Sequence, residues 1–182
     1  KAPAKPRLQI PATVSAYLNE LCGRSGGRPS DPEGALQLGD FNGDGLMDYF
    51  VDQHRLRCTG SSPPARGALA EAALFTGQAG SAGRILHVNA WDSSVEREGE
   101  LSWLLLVVDG DPCGFAPRRQ RCRLRLDYDA SRRQFRYGER VFVDKAGAVM
   151  AEPAWIPMAP DLAKGFAEGK FRLGDGPKGG CK

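Results

Sequence analysis

With 182 residues, 41% of them hydrophobic and 26% charged, the chain is long enough to bury a core and too apolar for wholesale disorder. No apolar run approaches the roughly 20 residues of a membrane-spanning helix. The longest, 101–108, is interrupted by Ser102 and has the length of a strand. The formal net charge of +3 is small but unevenly spread, with nine arginines between Arg118 and Arg140 and acidic residues gathered at 40–52 and 92–100.

Five cysteines, Cys22, Cys58, Cys113, Cys122 and Cys181, include no CxxC pair, and only His54 and His87 accompany them. A structural zinc site is therefore poorly supported, and disulfides are the better use of these residues. Disulfides persist in oxidising compartments, so a secreted or periplasmic location is expected. The chain begins at Lys1 with no signal-like apolar stretch, as it would after removal of a leader or after trimming of its start.

Residues 1–12, with three prolines, read as an extended arm. Thr13 then suits the N-cap of a helix running to Cys22 and ended by Gly23. Val14, Tyr17, Leu18, Leu21 and Cys22 fall at i, i+3, i+4, i+7 and i+8, which is one buried stripe. A Gly/Pro loop over 25–34 leads to Gly39-Asp40-Phe41-Asn42-Gly43-Asp44-Gly45-Leu46-Met47-Asp48.

In that stretch oxygen-bearing side chains alternate, with glycines allowing a sharp turn, and the pattern reads as a cage for a hard cation. The expected cofactor is Ca²⁺, held by the side chains of Asp40, Asn42, Asp44 and Asp48 and the backbone carbonyl of Leu46. Mg²⁺ suits the spacing less well, because it demands tight octahedral geometry and retains water. Asp52 stands about 13 Å beyond Asp48 in an extended strand and is left out of the ligand set.

Tyr49-Phe50-Val51 has strand character, and the twelfth loop position is Val51 where an EF-hand carries a bidentate Glu. The stretch instead resembles the Asp-x-Asn-x-Asp-Gly-x-x-Asp calcium loop of FG-GAP and integrin-type propeller repeats, which a strand follows. The resemblance covers about fourteen residues and has no second copy in the chain, so it implies the loop and not the propeller. The order of a Leu-Cys helix, Asp-Phe-Asn-Gly-Asp-Gly and later cysteines also resembles small secreted proteins of proteobacteria, which carry no activity to import.

Residues 68–76 read as a strand that turns through the glycine-rich 77–83 into a second strand, Arg84 to Trp91. Leu101 to Val108 is apolar on both faces, as a central strand covered above and below would be. Cys122, Leu124, Leu126 and Tyr128 alternate with Arg121, Arg123, Arg125 and Asp127, and Gln134 to Val143 follows with a bulge expected at Gly138. Cys113 and Cys122 flank a short loop and suit a disulfide across it. Cys22 and Cys58 then bracket the metal loop and would fasten the helix to the strand after it.

The fold class is α+β: an N-terminal helix packed on a mainly antiparallel sheet, stapled by disulfides and calcium. The organisation is an arm (1–12), a calcium-binding domain (13–143) and an irregular C-terminal extension (144–182). Arg121, Arg123, Arg125 and Arg136 share one face. It reads as solvated and internally ion-paired, and the partner it would suit is an anionic glycan or an acidic protein surface. Nucleic acid is not an expected partner.

No Gly-x-Ser-x-Gly elbow, phosphate loop or dinucleotide fingerprint is present. Trp91 and Trp103 fall in strands and read as core. The expected function is a secreted, non-catalytic calcium-binding structural or binding protein that self-associates through its terminal arms by strand addition. The competing class is a hydrolase of cell-envelope polymers or an enzyme inhibitor.

Overall fold

The computed structural model of the chain describes residues 8–99, 101–109, 121–129, 131, 134–143 and 172–173. Helix α1 (Ala12–Gly23) is followed by β1 (Leu36–Gly39), β2 (Asp48–Asp52), the short 3₁₀ turn η1 (Gln53–Arg55), β3 (Ala70–Gln78) and β4 (Ser81–Ala90). Then come β5 (Asp92–Glu98), β6 (Leu101–Asp109), β7 (Arg121–Asp129), β8 (Gln134–Val143) and the two-residue β9 (Arg172–Leu173). They form not one sheet but two: a five-stranded sheet in the order β1-β2-β3-β4-β9 and a four-stranded sheet in the order β5-β6-β7-β8. Every pairing is antiparallel except that of β9 with β4. The described chain is thus mostly β with one helix. None of its helices is long and apolar enough to cross a membrane.

The layering follows from strand alternation. Phe50, Ala72, Leu74, Leu86 and Val88 face one way and meet Leu104, Leu106, Val108, Cys122, Leu124 and Leu126 of the second sheet, closing a sandwich core. Tyr49, Val51, Ala73, Phe75 and Ala82 face the other way and meet Val14, Tyr17, Leu18, Leu21 and Cys22 of α1. The helix stripe is the one the i, i+3, i+4 spacing predicts. The first sheet is therefore covered on both faces, and the alanines of β3 and β4 let the helix approach closely.

Several boundaries differ from expectation for local reasons. The helix starts at Ala12 with Pro11 at its N-cap, because Thr13 spends its hydroxyl on the Ala82 carbonyl (2.7 Å) instead of capping. Its exit uses Gly26, at φ 75°, whose backbone takes the left-handed turn that the sequence assigns to Gly23. β1 and β5 are strands that pattern alone leaves out. The β6 strand is central, but among the described residues it is covered on its inner face only. The bulge expected at Gly138 is real: Leu124 pairs with Arg140 and Leu126 with Tyr137, so β8 carries one extra residue there.

Cys22 and Cys58 form a disulfide with a Cα–Cα distance of 5.5 Å, fastening the end of α1 to the segment after η1. Cys122 is also disulfide-bonded, with a partner outside the described residues. The expected pairing with Cys113, the fate of Cys181, the arm at 1–7 and most of the extension at 144–182 all lie outside them too.

Candidate metal loop and neighbouring polar networks

The acidic stretch is the connection of a β-hairpin. β1 and β2 pair from Leu36↔Val51 to Gly39↔Asp48, and residues 40–47 cross between them. Phe41 turns inward, 3% exposed, and enters the sandwich core. With Phe41 anchored, the loop folds on its own side chains. The Asp40 carboxylate accepts the Gly43 and Gly45 N–H groups (2.7 and 2.9 Å). The Asn42 side-chain oxygen accepts the Asp44 N–H (3.0 Å), and its amide donates to Asp44 (2.9 Å). Asp44 in turn accepts the Leu46 N–H (2.8 Å). Gly43 and Gly45 sit at φ 73° and 78°, which is where the turn needs residues without a Cβ.

Asp48 is different in kind. It is fully buried and uses both oxygens on backbone N–H groups, Phe41 within the loop and Gly77 at the end of β3, each at 2.8 Å. Burial raises its pKa, the two amides pull it back, and the neighbouring Asp44 and Asp40 carboxylates raise it further. Gly77 has to be glycine: a Cβ there would stand 2.3 Å from the Met47 carbonyl oxygen. The loop also touches the second sheet, where the Asp40 carbonyl accepts the Ser102 N–H (3.0 Å). Leu46 and Met47 project into solvent.

Four of the five expected ligand positions thus lie on the 40–47 connection and the fifth, Asp48, opens β2, while the side chains of Asp40, Asn42 and Asp44 form a continuous hydrogen-bonded turn. Asp48 points into the protein. Among the described residues no three His, Cys, Asp or Glu side chains converge as metal ligands. The donor chemistry fits a hard cation nonetheless. Every side-chain donor is oxygen, and each carboxylate oxygen of Asp40 accepts one amide and keeps a second lone pair.

Both histidines join carboxylates in part-buried networks that sequence reading missed. His54 places Nδ1 3.0 Å from Asp52 Oδ1 and Nε2 2.9 Å from the Ala68 carbonyl, while Ser93 of β5 donates to Asp52 Oδ2 (3.0 Å). The residue types are those of a hydrolytic triad, but the connections are not. Ser93 bonds to the carboxylate and not to the imidazole, and both imidazole nitrogens face acceptors. The group ties the two sheets together. His87 bonds to Glu71 (2.9 Å), which also receives Arg24 of the helix. Burial would raise the Glu71 pKa, but the hydrogen bonds from His87 and Arg24 outweigh it and hold the carboxyl below the usual range.

The arginine row lies on the outer face of β7 as the alternation predicts. Arg121 packs over the Trp91 ring and Arg125 over the Trp103 ring, with guanidinium carbons 4.3 and 5.3 Å from the ring centroids. Arg125 also pairs with Asp127. Trp91 and Trp103 are therefore half-buried supports on this outer face and not core residues. Their indole N–H groups bond to Asp109 and Glu96 (2.8 and 3.1 Å). Arg136 pairs with Asp127 in the backbone register. No protein-family model, curated protein or solved structure matches this chain.

Proposed function

We propose that this protein is a non-catalytic extracytoplasmic domain in which the 40–48 loop takes up one calcium ion as a folding cofactor. One observation carries the reading: a fully buried Asp48 carboxylate joins the loop to β3, with the Asp40 and Asp44 carboxylates beside it. Like charges gathered in one place oppose the folded loop, and a divalent ion reverses the sign of that contribution. Asp40, Asn42, Asp44 and the Leu46 carbonyl would supply ligands, with Asp48 holding the loop to the sheet or joining them. The Cys22–Cys58 disulfide supports an oxidising location.

Calcium titrated calorimetrically into chelator-treated protein should bind at one site. At calcium about 100 times its Kd, mass action stabilises the fold by about 2.7 kcal/mol, or about 5–10 °C in melting midpoint for a chain of this size. Asp44→Ala should lower the affinity while leaving the chelated protein folded. Absence of binding heat together with a melt indifferent to chelator sinks the proposal.

A further inference from the structure

The outer face of the four-stranded sheet carries a pattern that the calcium reading does not use. On β6, Leu104, Leu106 and Val108 enter the core, while Trp103, Leu105 and Val107 point outward and are half-buried. No described element packs over them. On one side the register sets Asp92, Ser94 and Glu96 of β5 level with Val107, Leu105 and Trp103. On the other side it sets Arg123 and Arg125 of β7 level with Val107 and Leu105. An acidic row and a basic row thus flank one apolar stripe, about 10 Å apart across β6. At the centre of the basic row, Arg123 makes no side-chain hydrogen bond or ion pair among the described residues. Level with it, the Asp92 carboxylate has only the Ser93 N–H (2.9 Å) among them.

We propose that this face pairs with the same face of a second copy, about a two-fold axis running along β6. A half-turn about that axis keeps height along the strands and exchanges left with right. The acidic row of one copy then lies over the basic row of the other, Asp92 faces the partner's Arg123 twice, and the apolar stripes meet between them. A two-fold axis running across the strands would lay acid on acid and base on base, so charge selects the first arrangement. The contact is isologous and closes at two copies. Face-to-face sheets accommodate the relative twist this requires.

The size of the face sets its strength. With the axis on β6, only β5, β6 and β7 face the partner, and three strands about 4.8 Å apart and seven to nine residues long cover about 400 Å² per copy. The total of about 800 Å² lies below the standard size of a specific interface, so the pairing is weak and reversible and relies on the charge match. None of the facing charges belongs to the 40–48 loop, so this pairing stands or falls separately from calcium.

Sedimentation velocity on the full chain from about 1 to 200 µM tests it. The wild type should pass from monomer to dimer, and more salt should favour monomer. Arg123→Glu and Asp92→Lys should each weaken the dimer at least about ten-fold, because each sets like charges together twice. Their circular dichroism melts should stay near that of the wild type. Carrying both changes on one chain should restore the dimer, and an equal mixture of the two single variants should form a heterodimer. A wild type that stays monomeric at the highest concentration overturns the proposal, as do single variants that dimerise normally or a double variant that does not recover. Heparin retention that depends on Arg123 in a strictly monomeric wild type also overturns it, in favour of an anionic ligand.

Discussion

Replacing Gly77 by Ala is the sharpest probe of how the acidic loop is held to the rest of the fold. The Gly77 N–H donates to the buried Asp48 carboxylate, and a Cβ added at that position would lie 2.3 Å from the Met47 carbonyl oxygen. The obstacle is backbone, so no rotamer change relieves it, and the loop must move away from β3. Movement lengthens the bond to Asp48, and a hydrogen bond to a buried charge is worth about 1.5–3 kcal/mol. Overpacking adds about 1–3 kcal/mol. The expected loss is about 3–5 kcal/mol, or about 6–20 °C in melting midpoint for a chain of this size. Gly80→Ala is the control. Gly80 sits at φ 75° with nothing within 4 Å of the point a Cβ would occupy, so it costs only the left-handed backbone penalty of about 1 kcal/mol. Thermal unfolding followed by far-UV circular dichroism compares the two. A Gly77→Ala midpoint no lower than that of Gly80→Ala refutes the claim that the loop and β3 are in fixed contact through Asp48.

Two further outcomes follow from the same reasoning. Cys22 and Cys58 close a separation of 36 residues, so replacing both with Ser should cost about 3–4 kcal/mol through the freed unfolded chain. Reduction should lower the wild-type melt and leave the double variant unmoved by that bond. Glu71 provides a pH signature, because its folded pKa lies below its unfolded value near 4.5. Its stabilising contribution is complete above that value and disappears as pH falls through the folded pKa. Glu71→Gln should therefore melt lower at neutral pH, and its disadvantage should shrink as the solution is acidified below about 4.5. A difference that is constant across that range would contradict the network.

The helix, the β3–β4 hairpin, the alternation of β7 and the Cys22–Cys58 pairing were all legible because each rests on a local or strongly periodic signal. Val14, Tyr17, Leu18 and Leu21 can form a stripe on a helix only. The division into two sheets was not legible, for reasons visible in β5. Asp92-Ser-Ser-Val-Glu-Arg-Glu98 has one large apolar residue, Val95, facing the core, so its composition reads as an acidic loop. It is a strand because it lies at a sheet edge beside β6, where polar residues on the outer face cost nothing and guard the edge. The tryptophans misled for a related reason. Strand position suggested core, but the side chains of Trp91 and Trp103 support arginines on the far face. Both histidine networks depend on contacts between residues distant in sequence, such as Ser93 with Asp52, and no spacing rule encodes those.

The acidic loop has more structural partners than its sequence suggests, and they decide what a bound cation would act upon. Phe41 enters the core between the sheets, the Asp40 carbonyl takes the Ser102 N–H of β6, and Asp48 takes the Gly77 N–H of β3. One short loop therefore touches both sheets. The back of the first sheet is closed separately, by α1 with its disulfide and by the Glu71–Arg24 ion pair. A charge placed on the loop is felt where the layers meet, so neutralising Asp40, Asp44 and Asp48 with a cation would strengthen the joint between sheets more than the hairpin itself. On that argument chelation should loosen the β1–β2 hairpin, the start of β6 and the end of β3 together, while α1 keeps its amide protection. Hydrogen exchange measured with and without calcium would show this as faster exchange at Phe41, Gly77 and Ser102 with unchanged rates at Leu18 and Leu21. Loosening confined to 40–47 would mean that the loop is an appendage and that Asp48 does not transmit the ion's effect.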